Sequence, residues 1–239
     1  MQPVIKIKNL CHIWPNQTQP VININQLEIQ KGDTFFIQGA SGSGKSTFLN
    51  ILAGIISNQT SEVQLLNSNI SQLSNKQRDQ FRANHIGYIF QQFNLINYLT
   101  VLENVMLACQ ASNIRAARAI KKHGSIQSAA HFYLSQLNID ESLLHKQAMR
   151  LSVGQQQRVA AARALIGQPE IIIADEPTSS LDQQNVSTFI EVLISQCKKI
   201  QATLIFVSHD LTLKPHFNSH YILNANNLKE QDHAVHAND

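Results

Sequence analysis

The sequence of 239 residues predicts a mixed α/β fold, on three observations. Short runs rich in β-branched and aromatic residues alternate with segments in which apolar residues recur at helical spacing. Two of those runs, residues 171–174 and 204–207, are almost continuously apolar, which is typical of parallel strands covered on both faces. Hydrophobic residues make up 43% of the chain, enough for a sizeable core, so disorder of the whole chain is excluded.

Charge and cysteine usage narrow the possible function classes. The formal net charge of +3 is too small to argue for binding of nucleic acid or acidic lipid. No apolar stretch approaches the ~18 residues of a membrane span, and the first ten residues lack a signal-peptide core. The three cysteines form no Cys-x-x-Cys pair, so neither a disulfide framework nor a zinc site is indicated. We expect a reduced, cytoplasmic polypeptide with no nucleic-acid partner and no direct lipid insertion.

The first half of the chain has the pattern of strands followed by a glycine-rich turn and a helix. Residues 4–8 and, more loosely, 21–29 alternate apolar and polar side chains, as half-buried antiparallel strands do. The β-rich residues 34–38 run directly into a glycine-rich turn, and residues 46–56 then have helical spacing. Residues 86–90 are a further strand candidate.

The second half begins with a long helical stretch. From residue 100 to about residue 149 the pattern is helical, which predicts a helical lobe inserted into the core. Within it Arg115, Arg118, Lys121 and Lys122 recur at helical spacing, and we interpret them as a solvated face. We expect one domain over residues 1–225, with its helical part at about 100–160, and a polar C-terminal tail over 226–239 that frays.

A phosphate-binding loop follows the strand predicted at residues 34–38. Residues 39–46, Gly-Ala-Ser-Gly-Ser-Gly-Lys-Ser, match the pattern G-x-x-x-x-G-K-[ST] in full. Glycines let backbone N–H groups turn toward phosphate oxygens, and the helix that follows directs its positive N-terminal end at the same oxygens. Lys45 can bridge the β- and γ-phosphates, while the Ser46 hydroxyl can coordinate Mg²⁺. A chance Gly/Ser loop is the alternative, but a complete match between strand and helix favours nucleotide binding. The expected contacts are Gly39, Ala40, Ser41, Gly42, Ser43, Gly44, Lys45, Ser46 and Thr47.

Two carboxylates follow the apolar run 171–174, at the end of a strand where open α/β sheets bind ligands. Asp175 would hold Mg²⁺, and Glu176 could polarise the attacking water as a general base. The alternative is a turn capped by this pair before Pro177. The complete phosphate loop upstream favours the catalytic interpretation.

A second candidate anion site lies at the start of a later helix. Ser152 and Gln155 fit the S-x-x-[EQ] capping box, which alone marks only a helix N-terminus. A helix N-terminus with a free hydroxyl and a nearby glycine, here Gly154, is also an anion site. One chain would then carry two phosphate-binding ends, which suggests that two copies clasp nucleotide head to tail.

Together these motifs resemble the ATP-binding subunit of ATP-binding-cassette (ABC) transporters, over about residues 4–225. Residues 151–155 resemble the family signature LSGGQ, with Val153 in place of the first glycine. Because β-branched Val cannot easily take a positive φ, it is compatible only with a helical or extended backbone. The resemblance implies an α/β fold with a P-loop NTPase core, a mainly parallel sheet, an N-terminal antiparallel β subdomain and an inserted α-helical subdomain.

The resemblance also implies roles for residues outside these motifs. Gln91 matches the Q-loop glutamine, which contacts Mg²⁺ and senses the membrane partner; Gln92 is adjacent, but the spacing from the predicted strand favours Gln91. Asp182 matches the D-loop, which reaches across the dimer. His209 matches the switch histidine near the γ-phosphate, although a lone His is more often structural or solvated. Trp14 falls where the family stacks an aromatic ring on adenine, with packing in the core or a loop as the alternative.

The implied function is an ATPase that binds ATP and Mg²⁺, closes as a homodimer and drives a membrane permease. In it Glu176, His209 and Gln91 have the catalytic roles. Ser152, Gly154, Gln155 and Asp182 contact the nucleotide of the opposite subunit. P-loop kinases lack the signature element, and DNA-repair cassettes carry heptad insertions longer than residues 100–149. Translation cassettes usually come as two in one chain, whereas this chain has one.

Residues 90–105 resemble one subgroup in particular, the lipoprotein-release, macrolide-export and cell-division ATPases of the LolD, MacB and FtsE type. Their partners are permeases with few membrane helices and a large extracytoplasmic domain. The main alternative is the ATPase of an amino-acid-type importer, followed by a soluble cassette ATPase. By the resemblance the permease docks near Phe93 to Glu103, although an apolar stretch there could equally be internal packing. That contact would hold the chain on the cytoplasmic face of the inner membrane.

Overall fold

The computed structural model describes residues 3–57, 61–179, 183–224 and 227–230, and in these it contains two β-sheets. The smaller sheet is antiparallel, with order β2-β1-β4-β5; its strands are β1 (Pro3–His12), β2 (Ile22–Gln30), β4 (Glu62–Leu65) and β5 (Ser68–Asn69). The larger sheet has the order β10-β9-β3-β8-β7-β6, and all its neighbours are parallel except β9 and β10. Its strands are β3 (Thr34–Gln38), β6 (Ile86–Ile89), β7 (Ile171–Asp175), β8 (Thr203–Val207), β9 (Ser219–Asn224) and β10 (Asn227–Glu230).

The helices are divided between the core and a lobe that is inserted between β6 and β7. The lobe contains α3, α4 and α5, and α6 leads from it back into the core. No helix in the described part of the chain is long and apolar enough to cross a membrane. The helices are α1 (Lys45–Leu52), α2 (Asn75–His85), α3 (Val101–Gln110), α4 (Asn113–His123), α5 (Ile126–Gln136), α6 (Val153–Leu165) and α7 (Gln183–Ile200). The predicted α/β architecture, with its antiparallel N-terminal part and inserted helices, is confirmed.

The parallel sheet is covered on both faces, as the continuous apolar runs predict. In β7, Ile171 and Ile173 belong to the core cluster shared with the antiparallel sheet and α1. Ile172 and Ala174 belong to the other cluster, with the helical lobe and α7. Side chains alternate across a strand, so a strand between two cores needs an apolar residue at every position.

Two local expectations differ from the structure. Helix α1 ends at Leu52 and not at residue 56, because Gly54 adopts a left-handed φ of 66° and its N–H bonds back to the carbonyl of Ile51. Residues 227–230, expected to fray, instead form β10 against β9. Hydrogen bonding to β9 orders these residues, although their polar composition gave no indication of a strand.

The interpretation of the cationic cluster as a solvated face is wrong for Arg115. Its side chain is only 3% exposed, and its guanidinium lies at the C-terminal end of α6. There Nε donates to the carbonyl of Ile166 at 2.8 Å and Nη2 to that of Ala164 at 2.8 Å. The last carbonyls of a helix lack partners within the helix and carry its negative end, which suits a planar cation with several donors. Burial lowers the pKa of Arg115 to about 10, so the group is still charged at neutral pH.

Arg118, also on α4, connects the helical lobe to the core. Its guanidinium lies 2.6 Å from a carboxylate oxygen of Glu170, just before β7, and His85 Nδ1 lies 3.0 Å from the other oxygen. Burial would raise the pKa of Glu170, but the hydrogen bonds and charges of His85 and Arg118 outweigh it and lower the pKa to about 2. Lys121 and Lys122 are exposed, as expected for the rest of the cluster.

Replacing Arg115 by Met should destabilise the protein by about 3 kcal/mol, because buried carbonyls at the end of α6 lose their donor. The change in free energy of unfolding is measured by urea denaturation. Lys121→Met is the matched control on the exposed face of α4 and should cost less than about 0.5 kcal/mol. Equal costs for the two variants would contradict a structural role for Arg115.

Candidate functional site

A cavity of about 590 Å³ opens where the parallel strands end. Four neighbouring strands deliver side chains to it: β3 through the glycine-rich loop, and β6, β7 and β8 through the residues that follow them. Carboxyl ends of parallel strands meet at one edge of a sheet, so loops distant in sequence converge there. The lining residues are Trp14, Gln17, Val21, Ser41, Gly42, Gly44, Lys45, Ser46, Thr47, Gln91, Glu176 and His209.

The glycine-rich loop forms a cradle that approaches the backbone of Val21 closely at Gly44. This residue has φ 93° and caps α1, and a Cβ placed there would lie 2.7 Å from the carbonyl oxygen of Val21. No side chain caps the N-terminus of α1, so its first N–H groups face the cavity without that competitor for an anion. The Ser43 hydroxyl is buried with no hydrogen-bond partner among the described residues. The open backbone donors fit a bound phosphate chain, whereas the Ser43 hydroxyl lies against Gly39 and Ser43 does not line the cavity.

Lys45 is the cation of this cradle. Its Nζ donates to the carbonyl oxygens of Gly39 at 2.8 Å and Ala40 at 3.0 Å. It also lies 3.5 Å from Oε1 of Glu176. The ammonium group therefore stands between the loop and the end of β7, in reach of any phosphate held by the loop.

Asp175, the last residue of β7, hydrogen-bonds with the Ser46 hydroxyl. Burial, with a smaller contribution from the charge of Glu176, raises the pKa of Asp175, while the Ser46 hydrogen bond and the charge of Lys45 oppose that rise. A cation beside this carboxylate would offset the free energy that burial of its negative charge costs. A hydroxyl and a carboxylate in contact, with Gln91 on the same cavity, form an oxygen donor set that fits Mg²⁺.

Glu176 is held in a strained backbone conformation. Its φ is 44°, in the left-handed region, and its N–H donates to the carbonyl of Val207 in β8 at 3.0 Å. Such a conformation costs on the order of 1–3 kcal/mol and persists only when the surroundings enforce it. Here it places the carboxylate between Lys45 and His209, whose Nδ1 lies 3.5 Å from Oε2. The strain thus supports a catalytic carboxylate in the cavity.

The second candidate anion site does not join this cavity. Ser152 and Gln155 form a complete capping box: the Ser152 hydroxyl accepts from the Gln155 N–H at 3.3 Å, and Gln155 Oε1 accepts from the Ser152 N–H at 3.0 Å. Val153 is the first residue of α6 and is 47% exposed, so its backbone is helical, as its branched side chain requires. Gly154 is the second helical residue, and none of these residues lines the cavity. Asp182 lies outside the described residues.

Sequence reasoning missed Gln17 and Val21, which line the cavity beside Trp14. They belong to the loop between β1 and β2, where Gln17 N–H donates to the Trp14 carbonyl at 3.0 Å. The sequence feature that could have identified them is their position in the same polar loop as Trp14, the candidate for stacking on the base. Trp14 itself is 38% exposed, which excludes the alternative of a core Trp.

Sequence reasoning also missed Arg163 of α6, which clamps the turn after Gln91. Two consecutive residues there, Phe93 and Asn94, have positive φ values of 59° and 47°. The Arg163 guanidinium donates to both of their carbonyls, at 2.5 Å and 2.7 Å. Non-glycine residues in this region need such enforcement. Helix α6, whose N-cap is Ser152, is thereby tied to the loop that carries Gln91.

The next segment, residues 96–100, is organised by Asn104 of α3. The side chain of Asn104 is fully buried; it accepts from the Ile96 N–H at 2.8 Å and donates to the Ile96 carbonyl at 3.0 Å. This leaves Tyr98 outside, 72% exposed, with Met149 nearby at 62% exposure. The Met149 N–H donates to the Asn97 carbonyl at 3.3 Å, which joins the two chain segments of this surface. Phe93, in contrast, is buried in the core, so only part of the segment faces outward.

Comparison with known proteins gives concordant matches. The profile of the ABC transporter family matches residues 22–179. The lipoprotein-releasing system ATP-binding protein LolD of Saccharophagus degradans is 35% identical over 232 residues, 96% of this chain and 98% of that protein. The bacitracin export ATP-binding protein BceA of Halalkalibacterium halodurans is 36% identical over 192 residues, 80% of this chain and 73% of that protein. A dimeric, post-hydrolysis structure of the ATP-binding cassette MJ0796 bound to ADP and Pi has a TM-score of 0.82 and 31% identity, and the match covers 95% of this chain and 98% of that one.

Replacing Arg163 by Lys should loosen the turn at Phe93 and Asn94, because two separate guanidinium nitrogens, Nη1 and Nη2, each donate to one carbonyl, and a single ammonium nitrogen cannot occupy both positions. We expect amide hydrogen exchange in residues 92–97 to accelerate about tenfold, which corresponds to about 1.4 kcal/mol of local stability. Arg158→Lys is the control on the same helix, since Arg158 donates to a different loop at the carbonyl of Leu137. Unchanged exchange in residues 92–97 of Arg163→Lys would contradict the clamp.

Proposed function

The chain belongs to the ABC transporter family as an ATP-binding subunit of the LolD and MacB type, and we propose that it dimerises on ATP to drive an export-type permease by mechanical transmission. The chain is thus an ATPase, and ATP is its substrate. The observation that carries the proposal is the convergence of Lys45, Glu176, His209 and Gln91 on one cavity at the edge of the parallel sheet.

In the proposed mechanism Lys45 and the N–H groups at the start of α1 hold the β- and γ-phosphates. Ser46, Asp175 and Gln91 would hold Mg²⁺, and a bound ion would supply positive charge next to the phosphate oxygens. Glu176 accepts a proton from the water that attacks the γ-phosphate. Its carboxylate oxygens lie 3.5 Å from Lys45 and 3.5 Å from His209, the two groups that we propose contact that phosphate. The other residues proposed to contact the nucleotide in this loop are Gly39, Ala40, Ser41, Gly42, Ser43, Gly44 and Thr47, and Trp14 is proposed to stack on adenine.

The second half of each site comes from another copy of the chain. Ser152, Gly154 and Gln155 form an exposed helix N-terminus away from their own cavity, which suits contact with the nucleotide of a partner. Asp182 is proposed to reach across the same interface. ATP then stabilises the closed dimer because it contacts both subunits only in that state. The dimeric ADP-bound relative supports this arrangement.

Glu176→Gln should bind ATP, hydrolyse it at least about 100-fold more slowly and accumulate as a closed dimer, because Gln keeps the size of Glu but cannot accept the proton. Light scattering after size exclusion, with and without ATP and Mg²⁺, measures the dimer. Adding Ser152→Trp, which blocks the partner's helix N-terminus, should return the variant to monomer. Hydrolysis by Glu176→Gln at the parent rate would show that Glu176 is not the base.

The permease is proposed to dock on the surface formed by Tyr98 and Met149, at the cytoplasmic face of the inner membrane. The buried Asn104 gives this surface a fixed backbone, and Arg163 connects it to the loop that carries Gln91. An exposed apolar pair on an ordered loop fits a protein contact better than internal packing. The named relatives serve lipoprotein release and bacitracin export, which favours an export-type partner over an amino-acid importer.

Tagged Glu176→Gln with ATP should capture a permease with few membrane helices and a large outer domain from detergent-solubilised native membranes. Adding Tyr98→Glu should abolish that capture while the ATP-dependent dimer persists, because a charge then lies in the apolar contact. A many-helix permease together with a solute-binding protein would identify an importer. Capture of no membrane protein would leave a soluble cassette ATPase.

A further inference from the structure

His12 is the last residue that the antiparallel sheet holds before the loop carrying Trp14. It pairs with Ile22 at the end of the β1–β2 register, and its carbonyl accepts the N–H of Val21 at 2.8 Å. The chain then leaves the sheet and makes a turn closed by the bond from Gln17 to the Trp14 carbonyl. Trp14 therefore lies two residues beyond the regular pairing, on a segment that backbone bonds alone orient only loosely.

The side chain of Trp14 is held by a ring contact with His12. The two ring centroids are 4.8 Å apart and the ring planes meet at 87°, an edge-to-face pair. Such geometry is attractive because the positive edge of one ring meets the negative face of the other. An indole that is 38% exposed would otherwise sample several rotamers, and one ordered rotamer is needed for a base to stack on it without an entropic penalty.

The imidazole of His12 is partly buried. Its Nε2 is buried and makes no hydrogen bond with any described residue. Burial lowers the pKa of His12, which favours the neutral ring at neutral pH. His12 does not line the cavity, so any influence on nucleotide passes through Trp14, which does.

We propose that His12 is a positioning residue for the nucleotide base: its ring holds the indole of Trp14 in the orientation in which adenine stacks on it. The inference rests on the proposed stacking role of Trp14. On this proposal, the rings of His12 and Trp14 at the end of β1 contribute to binding of the base and not to binding of the phosphates. The phosphate loop meets this region at Gly44, which lies against the carbonyl of Val21, and Val21 bonds to the backbone of His12, which a side-chain substitution keeps.

The test uses the fluorescence of Trp14, the one tryptophan in the sequence, which reports on this ring alone. His12→Ala should raise the Kd for ATP about 3- to 10-fold, the equivalent of one aromatic pair, and raise KM with little change in kcat. The Kd for inorganic tripolyphosphate, which has no base, should stay the same. His12→Phe keeps an edge-to-face partner and should restore the ATP affinity. His145→Ala, at an exposed histidine, is the matched control and should bind ATP like the parent.

Four results would overturn the inference, and they lead to three different conclusions. If His12→Ala binds ATP like the parent while Trp14→Ala binds it weakly, His12 has no positioning role and the stacking role of Trp14 stands. Binding to Trp14→Ala is measured with a fluorescent ATP analogue, because this variant has no tryptophan. If Trp14→Ala binds the analogue as tightly as the parent does, the stacking role of Trp14 itself fails. If His12→Ala weakens ATP and tripolyphosphate equally, or His12→Phe gives no rescue, the effect is a general one on the fold near β1.

Discussion

The candidate site depends on one constraint, the parallel pairing of β3, β8, β7 and β6 in that spatial order. These strands are far apart in the sequence, yet each ends at the same edge of the sheet. A phosphate-binding loop, a histidine, two carboxylates and a glutamine therefore lie at this edge. Only the two carboxylates are adjacent in sequence. Because both faces of the sheet are buried, the register of these strands is fixed by two separate cores. The geometry of the site is thus a consequence of packing.

Backbone strain marks the parts of this edge where position is critical. Glu176, Phe93 and Asn94 all have left-handed φ values, which only strong local bonding stabilises in non-glycine residues. Glu176 is held by β8 and by Lys45 and His209 beside it, and the other pair is held by the Arg163 guanidinium. In each case the energy for an unfavourable conformation comes from contacts with an element distant in sequence.

Arginines form much of the connection between the helical lobe and the core. Arg115 supplies donors to the C-terminal end of α6, and Arg118 pairs with Glu170 before β7. Planar guanidinium groups suit these junctions, because the ends of helices expose several carbonyls within a small region. The lobe is therefore attached where α6 ends, while the other end of α6 carries the exposed Ser152. A single helix connects the attachment of the lobe to the surface proposed for the partner subunit.

The sequence by itself determined the α/β class, the phosphate loop, the carboxylates after β7 and the helix start at Ser152. Each of these is a local pattern whose chemistry follows from neighbouring residues, such as glycines beside Lys45 or a serine three residues before Gln155. The same reasoning misjudged Arg115, because helical spacing of cations does not reveal which face another helix covers. It also gave no hint of the partners of Arg163 or of the ring that orients Trp14. Those contacts join residues that are distant in sequence or that only a turn brings together, so tertiary packing alone decided them.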